Sequence, residues 1–174
     1  TILYDTLVGM ASNDIVMIYH ADMYACPKLD EEVLKHLEPG KVVSATRIEP
    51  PLHPDGPEKV LRDFGIEPEE FKESELMKFI DEYKPTQESS NGIFAPWAIY
   101  KKDFQEINGH DPLYAPQSKE DSDIFNRFVL NGYELIQTWE GYVYHMTCRG
   151  SRFKDGALRN PAGQVFMKGR ESDE

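Results

Sequence analysis

At 174 residues, with 40% hydrophobic and 11% aromatic content, the chain has the size and composition of one folded domain with a proper core. Its 29% charged residues, and the lack of any apolar run near the roughly 20 residues of a membrane span, argue against a helical membrane protein. The formal net charge of -12 argues against nucleic-acid backbones as partners. It also means that a phosphorylated substrate needs a bound cation or a local basic patch to receive it. Thr1 to Asp5 lacks the basic flank of a signal peptide, and two cysteines, Cys26 and Cys148, make no disulfide framework. A reducing cytoplasm is therefore the expected location, with homo-oligomerisation left open.

In chain order, residues Leu3 to Met10 read as part of a short helix, with a turn at Ser12-Asn13-Asp14. Asp14 to Tyr19 is a continuous apolar run, as expected of a strand covered on both faces. Pro27 precedes a helix whose stripe is Leu29, Val33, Leu34 and Leu37; Pro39-Gly40 stops it, and Lys41 to Ile48 is β-rich. Strand, helix, strand in this order indicates an α/β sheet. A helical insertion is expected around residues 50–90, entered through Pro50, Pro51, Pro54 and Pro57. It has a short helix near Glu58 to Phe64 and a longer one from Pro68, striped by Leu76, Phe79, Ile80 and Tyr83. Residues 55–88 hold eleven acids against five bases, half of the excess charge, so this insertion reads as a solvated surface or as a module shaping an acceptor site.

Gly92 to Tyr100 reads as a strand, and Lys101 to Ile107 as a helix stopped by Asn108-Gly109. Pro112 to Ser118 is a loop, and Glu120 to Asn131 an amphipathic helix through Ile124, Phe128 and Val129, closed by Gly132. Tyr133 to Trp139 and Gly141 to Met146 read as two strands with a tight corner, followed by a polar tail, residues 147–174. There is no internal repeat, and residues 1–174 are read as one domain.

Three constellations sit at the ends of these elements. His20-Ala21-Asp22 follows the first strand; Asp22 is poised at a sheet edge, where Mg²⁺ or Mn²⁺ prefers oxygen ligands, or else it simply caps a turn. Glu120-Asp121 opens a helix, whose N-terminus favours ionised carboxylates; one of them could accept a proton from an attacking hydroxyl, or both could be ordinary helix-start charge. His145 ends the last strand, as a ligand or as a structural histidine. Asn91-Gly92 reads as a close backbone approach to a sugar or as a turn. Trp97 reads as a stacking platform or as core. Arg149 and Arg152, with Lys154 and Arg159, would fold over a diphosphate or lie in solvent.

Val16 to Pro27 resembles the Asp-x-Asp region of the family 2 glycosyltransferases of the GT-A fold. The segments Phe104-Gln105-Glu106-Ile107-Asn108-Gly109-His110-Asp111 and Lys119-Glu120-Asp121-Ser122-Asp123-Ile124, with Arg127, resemble that family's downstream acidic block. The likeness covers roughly Asp14 to Arg152, with His20, Asn108 and His110 departing from the commoner residues. It implies a GT-A-like mixed α/β sheet flanked by helices, short of the first nucleotide-binding strand–helix unit. It further implies an inverting, metal-dependent transfer from a nucleotide-diphosphate sugar to a carbohydrate or other hydroxyl acceptor. By that resemblance Asp121 is the base, Asp22 and His145 hold Mn²⁺ or Mg²⁺, and His20 and Glu120 meet donor or acceptor. Asp123 and Arg127 orient the helix. A degenerate member that only binds sugar or nucleotide is the alternative that His20 leaves open.

Overall fold

The computed structural model describes residues 2–51, 56–115 and 119–146. Arg149 and Arg152 lie outside them. The elements are α1 (Ile2–Met10), β1 (Ile15–Ile18), β2 (Met23–Ala25), α2 (Leu29–Leu34), β3 (Lys41–Glu49), β4 (Lys59–Leu61), α3 (Glu73–Glu82), β5 (Ser89–Asn91), β6 (Trp97–Tyr100), α4 (Lys101–Glu106), α5 (Glu120–Leu130) and β7 (Glu134–His145), with 3₁₀ turns at Pro68–Glu70 and Pro112–Tyr114. No described helix is long and apolar enough to cross a membrane.

One mixed sheet organises the chain, in the order β1-β6-β3-β7-β2, with β4 added to β3 and β5 to β7. β3 is rich in β-branched residues and nearly all buried, as suits a central strand. It runs parallel to β7 from Lys41↔Glu134 to Ile48↔Tyr144, while β6 lies antiparallel on its other side. The hydroxyls this buries are satisfied: Thr46 Oγ1 donates to the Thr138 carbonyl at 2.8 Å, and Gln137 Nε2 donates to Thr46 Oγ1 at 2.8 Å.

The larger core sits under α1, α2, α4 and α5, through Val8, Val33, Phe104, Ile124 and Phe128. The smaller one packs Leu76 of α3 with Ile48, Phe64, Tyr142 and Tyr144. Because side chains alternate along a strand, Tyr142 and Tyr144 enter the smaller cluster while Val143 enters the larger. Arg47, Glu49 and His145 thus share the face opposite the smaller cluster.

Several sequence expectations are corrected here. Residues 59–61 form strand β4, not a helix, because pairing along β3 satisfies their backbone and outweighs local propensity. The insertion is consequently mixed rather than helical. The strand expected over Gly92 to Tyr100 starts only at Trp97, after a cis Ala95–Pro96 bond, and residues 89–91 form a separate strand. The two last strands are one, β7, which shifts register against β3 between Ser44 and Thr46 instead of turning back. β1 buries only Val16 and Ile18 and pairs with β6 alone among the described strands. Leu34 and Val129 are exposed, so the α2 and α5 stripes are narrower than the sequence suggests.

Candidate active site at the strand ends

The chain leaves β1 at Ile18 and turns through His20, whose carbonyl accepts from the Met23 amide at 3.3 Å. β2 then pairs antiparallel with the end of β7, Met23 opposite His145, and the Met146 amide donates to the Asp22 carbonyl at 2.9 Å. Backbone bonds alone thus bring residues 22 and 145 side by side. Asp22 Oδ2 and His145 Nε2 stand 3.3 Å apart, and His145 Nδ1 is 2.9 Å from Glu49 Oε2. The other Glu49 oxygen takes Lys59 Nζ at 2.8 Å.

The electrostatics follow from these contacts. The hydrogen bond from His145 is the main reason that Asp22 titrates below the usual carboxylate range. Burial alone would push the His145 ring down, but its bonds to Asp22 and Glu49 carry it above the ordinary value. Burial likewise pushes Glu49 up, and the donors His145 and Lys59 overcome it, holding the carboxyl at about 2.

Asp121 lies in the first turn of α5, with Lys119 in a left-handed conformation just before it. Burial raises its carboxyl first, and Glu120 raises it further, against the opposing influence of His20 and His110. A raised carboxylate beside two imidazoles is suited to proton acceptance. His20 itself is lowered, chiefly by burial, although Asp121 and Asp22 oppose this. The sequence-predicted residues Asp22, His145, His20, Glu120 and Asp121 therefore share one electrostatic neighbourhood.

The α5 start is held from behind. Arg127 Nε donates to Asp123 Oδ2 at 2.9 Å, one turn away, while its two terminal nitrogens donate to the Ile107 and Gly109 carbonyls at 2.9 and 2.6 Å. Asn108 and Gly109 adopt positive φ after α4, and the Gly109 amide closes the helix on the Phe104 carbonyl at 3.0 Å. Gly109 is suited to its positive φ, and a Cβ there would stand 2.8 Å from an Asp5 oxygen and push that carboxylate off His110. Asp5 accepts from the His110 amide and reaches His110 Nδ1 at 2.8 Å.

Sequence reasoning missed Tyr4, Asp5 and Glu49. The Tyr4 ring stacks on His20, centroids 6.3 Å apart, and packs at 5.6 Å against His110. The available signals were faint: two polar residues on the buried side of a short helix, and a carboxylate closing a strand otherwise almost fully buried. Trp97 corrects the stacking expectation. It is 0% exposed among Phe104, His110, Phe125 and Phe128, leaving no face for a sugar ring. Asn91 and Gly92 flank the edge of β5, with the Gly92 amide donating to the Leu135 carbonyl. Space above Gly92 is open, but no hydrogen bond or ring contact among the described residues joins it to Asp22 or Asp121.

Among the described residues, no group of three or more His, Cys, Asp or Glu forms a metal cage. The Asp22–His145 pair nonetheless fits a hard divalent ion. Its 3.3 Å separation is close to the roughly 3 Å between neighbouring octahedral ligands at bonds of about 2.1 Å, and such ions take one or two protein ligands plus water and phosphate oxygens. The imidazole backed by Glu49 has the carboxylate support usual behind metal-binding histidines.

Among known proteins, no family model matches the chain, and no curated protein matches it. Solved structures do. One is the crystal structure of GalNAc-T7 with UDP, GalNAc and Mn²⁺, at 12% identity and a TM-score of 0.58, over 82% of this chain and 29% of that one. The chain thus spans under a third of the length of this neighbour. At this identity the likeness concerns the fold, and the fold expected from sequence, a GT-A-like α/β domain with a mixed sheet flanked by helices, is the fold found.

Proposed function

We propose that the chain is a glycosyltransferase domain of the family 2 type, moving a sugar from a nucleotide-diphosphate donor to a carbohydrate or other acceptor hydroxyl with inversion. The observation that carries this reading is the convergence of His20 and Asp22, Asp121 and His145 from three sequence regions at one set of strand and helix ends. That GalNAc-T7 was solved with UDP, GalNAc and Mn²⁺ supports it.

In the proposed reaction the acceptor hydroxyl passes its proton to Asp121 as its oxygen bonds to the anomeric carbon of the donor. The bond from that carbon to the diphosphate breaks, and the nucleoside diphosphate leaves with the electron pair. A single displacement of this kind inverts the anomeric centre. Asp22 and His145 would hold Mn²⁺ or Mg²⁺, which supplies charge stabilisation to the departing diphosphate. His20 and Glu120 line the same neighbourhood, and Arg149 and Arg152 would contact the diphosphate. Asn91 and Gly92 would offer the acceptor a close backbone approach.

His20 at the position commonly held by a carboxylate favours one second reading, a binding module of the same fold that holds sugar or nucleotide without turnover. Calorimetric titration of nucleoside diphosphates, with and without Mn²⁺, tests both. The expected result is Mn²⁺-dependent binding that Asp22→Ala abolishes; unchanged affinity in that variant sinks the assignment of Asp22. Binding without donor hydrolysis or transfer under any divalent metal selects the binding module.

A further inference from the structure

Behind the Asp22–His145 pair lies an ion pair that the proposed chemistry does not use. Glu49, the last residue of β3, is 1% exposed, and the side chain of its partner Lys59 is 6% exposed. Burying such a pair is a weak source of stability, because desolvating two charges offsets most of their attraction. Two apolar side chains would fill the space as well. They would not, however, hold an imidazole ring in one orientation.

We propose that Glu49 is a positioning residue for His145, and that Lys59 in turn fixes Glu49, so that the ring, once neutral, is held as the Nδ1–H tautomer and its Nε2 lone pair is free for a cation beside Asp22. The proposal rests on the reading of Asp22 and His145 as the cation-binding pair. Each Glu49 oxygen has its own donor, Lys59 Nζ on Oε1 at 2.8 Å and His145 Nδ1 on Oε2 at 2.9 Å, so the carboxylate cannot rotate without losing one. The backbone sets this up: Ile48 pairs with Tyr144, which brings Glu49 alongside His145, and Arg47 pairs with Lys59, on the same face of the sheet. Arg47 acts on the carboxylate through its charge, while its guanidinium lies 3.5 Å from Glu58 and over the Phe94 ring. In a neutral ring the single proton is shared out by contact length. The 2.9 Å approach to Glu49 takes it in preference to the 3.3 Å approach to Asp22. The other tautomer, protonated at Nε2, would offer Asp22 and a cation an N–H in place of a lone pair.

Two double variants test this while leaving no orphaned charge. Glu49→Gln with Lys59→Met keeps a carbonyl to accept the Nδ1 proton, whereas Glu49→Leu with Lys59→Met removes the acceptor. The readouts are ¹⁵N NMR of His145 in the metal-free chain at alkaline pH, Mn²⁺ affinity by electron paramagnetic resonance, and thermal unfolding. The glutamine pair is expected to keep the tautomer and to bind Mn²⁺ within about threefold of the parent, while the leucine pair shifts to Nε2–H and binds about 10–100-fold more weakly. A leucine pair that keeps the Nδ1–H tautomer or the parent's Mn²⁺ affinity overturns the proposal. Should that pair fail to fold, Glu49→Asp, which withdraws the carboxylate from Nδ1 but keeps its charge near Lys59, is read the same way. A parent chain that binds no Mn²⁺ overturns the cation-site reading instead, and the tautomer comparison still decides whether Glu49 orients the ring.

Discussion

Arg127→Met removes the clasp that holds the first turn of α5, and with it Asp121, against the loop after α4. The loss can be worked from three contacts. A charged donor to a carbonyl contributes about 1.5–3 kcal/mol, and a side chain a quarter exposed belongs at the low end, so the Ile107 and Gly109 carbonyls together account for about 3 kcal/mol. The ion pair with Asp123, one helical turn away, adds about 0.3–0.5 kcal/mol. In a chain of this size 1 kcal/mol moves the midpoint by about 2–4 °C, which gives a fall of about 7–14 °C. Arg127→Lys keeps the charge but not the fork, and is expected to recover less than half of the loss. Thermal unfolding followed by circular dichroism measures this, and amide exchange should quicken at residues 107–110. A midpoint within about 2 °C of the parent refutes the clasp, because it would mean that water replaces all three contacts at no net cost.

Asp121→Asn preserves shape but takes no proton, so transfer should fall to near background while donor affinity stays within a few-fold; substituting Glu120 or Asp123 should cost less, and equal losses at all three would mark a merely structural helix start. The pH dependence has a definite sign. The folded pKa of His145 is raised, so its contribution to stability is full below the ordinary ~6.5 and fades as pH rises through the folded value. The carboxyls of Asp22 and Glu49 are lowered, so theirs is full above the ordinary ~4 and fades as pH falls through the folded values, about 2 for Glu49. In the metal-free chain these three groups together contribute most between about pH 4.5 and 6.5, while the lowered His20 works the other way as pH falls through ~6.5. The proton on His145 should also weaken Mn²⁺ binding from above pH ~6.5 downward. Melting curves across pH, with and without Mn²⁺, should show the ion stabilising most on the alkaline side, and His145→Ala should flatten that slope. Loss of stability in this variant without loss of Mn²⁺ affinity would remove His145 from the site.

Much of the site was legible because it lies at the ends of elements whose periodicity is plain. The apolar run before His20, the acid-led start of α5 and the strand closing on His145 are each local patterns, and sheet pairing then does the assembling. What sequence did not reveal depends on distant partners. Residues 59–61 carry no alternation long enough to announce a strand, and they become one only because β3 offers an edge. Trp97 has the chemistry of a sugar platform, and only the packing of α4 and α5 around it decides otherwise. Glu49 looks like any charged residue before a proline until Lys59 and His145 arrive beside it. Tyr4 and Asp5 needed the fold of α1 back onto the loop at His110.

The parallel pairing of β3 with β7 joins residues more than ninety positions apart, and both core clusters and the Glu49–His145 contact depend on it. A long closure of this kind must be completed before most of the contacts that reward it. During synthesis, Asp22 and Glu49 are made early and then wait while roughly a hundred further residues are added, at about 5–20 residues per second. Throughout that interval β3, nearly all of whose residues are buried in the folded sheet, has no β7 to pair with. A ribosome stalled before Glu134 would thus hold a chain whose central strand lacks its long parallel partner and whose Asp22–His145 pair is unmade, with an unpaired strand edge open to mispairing.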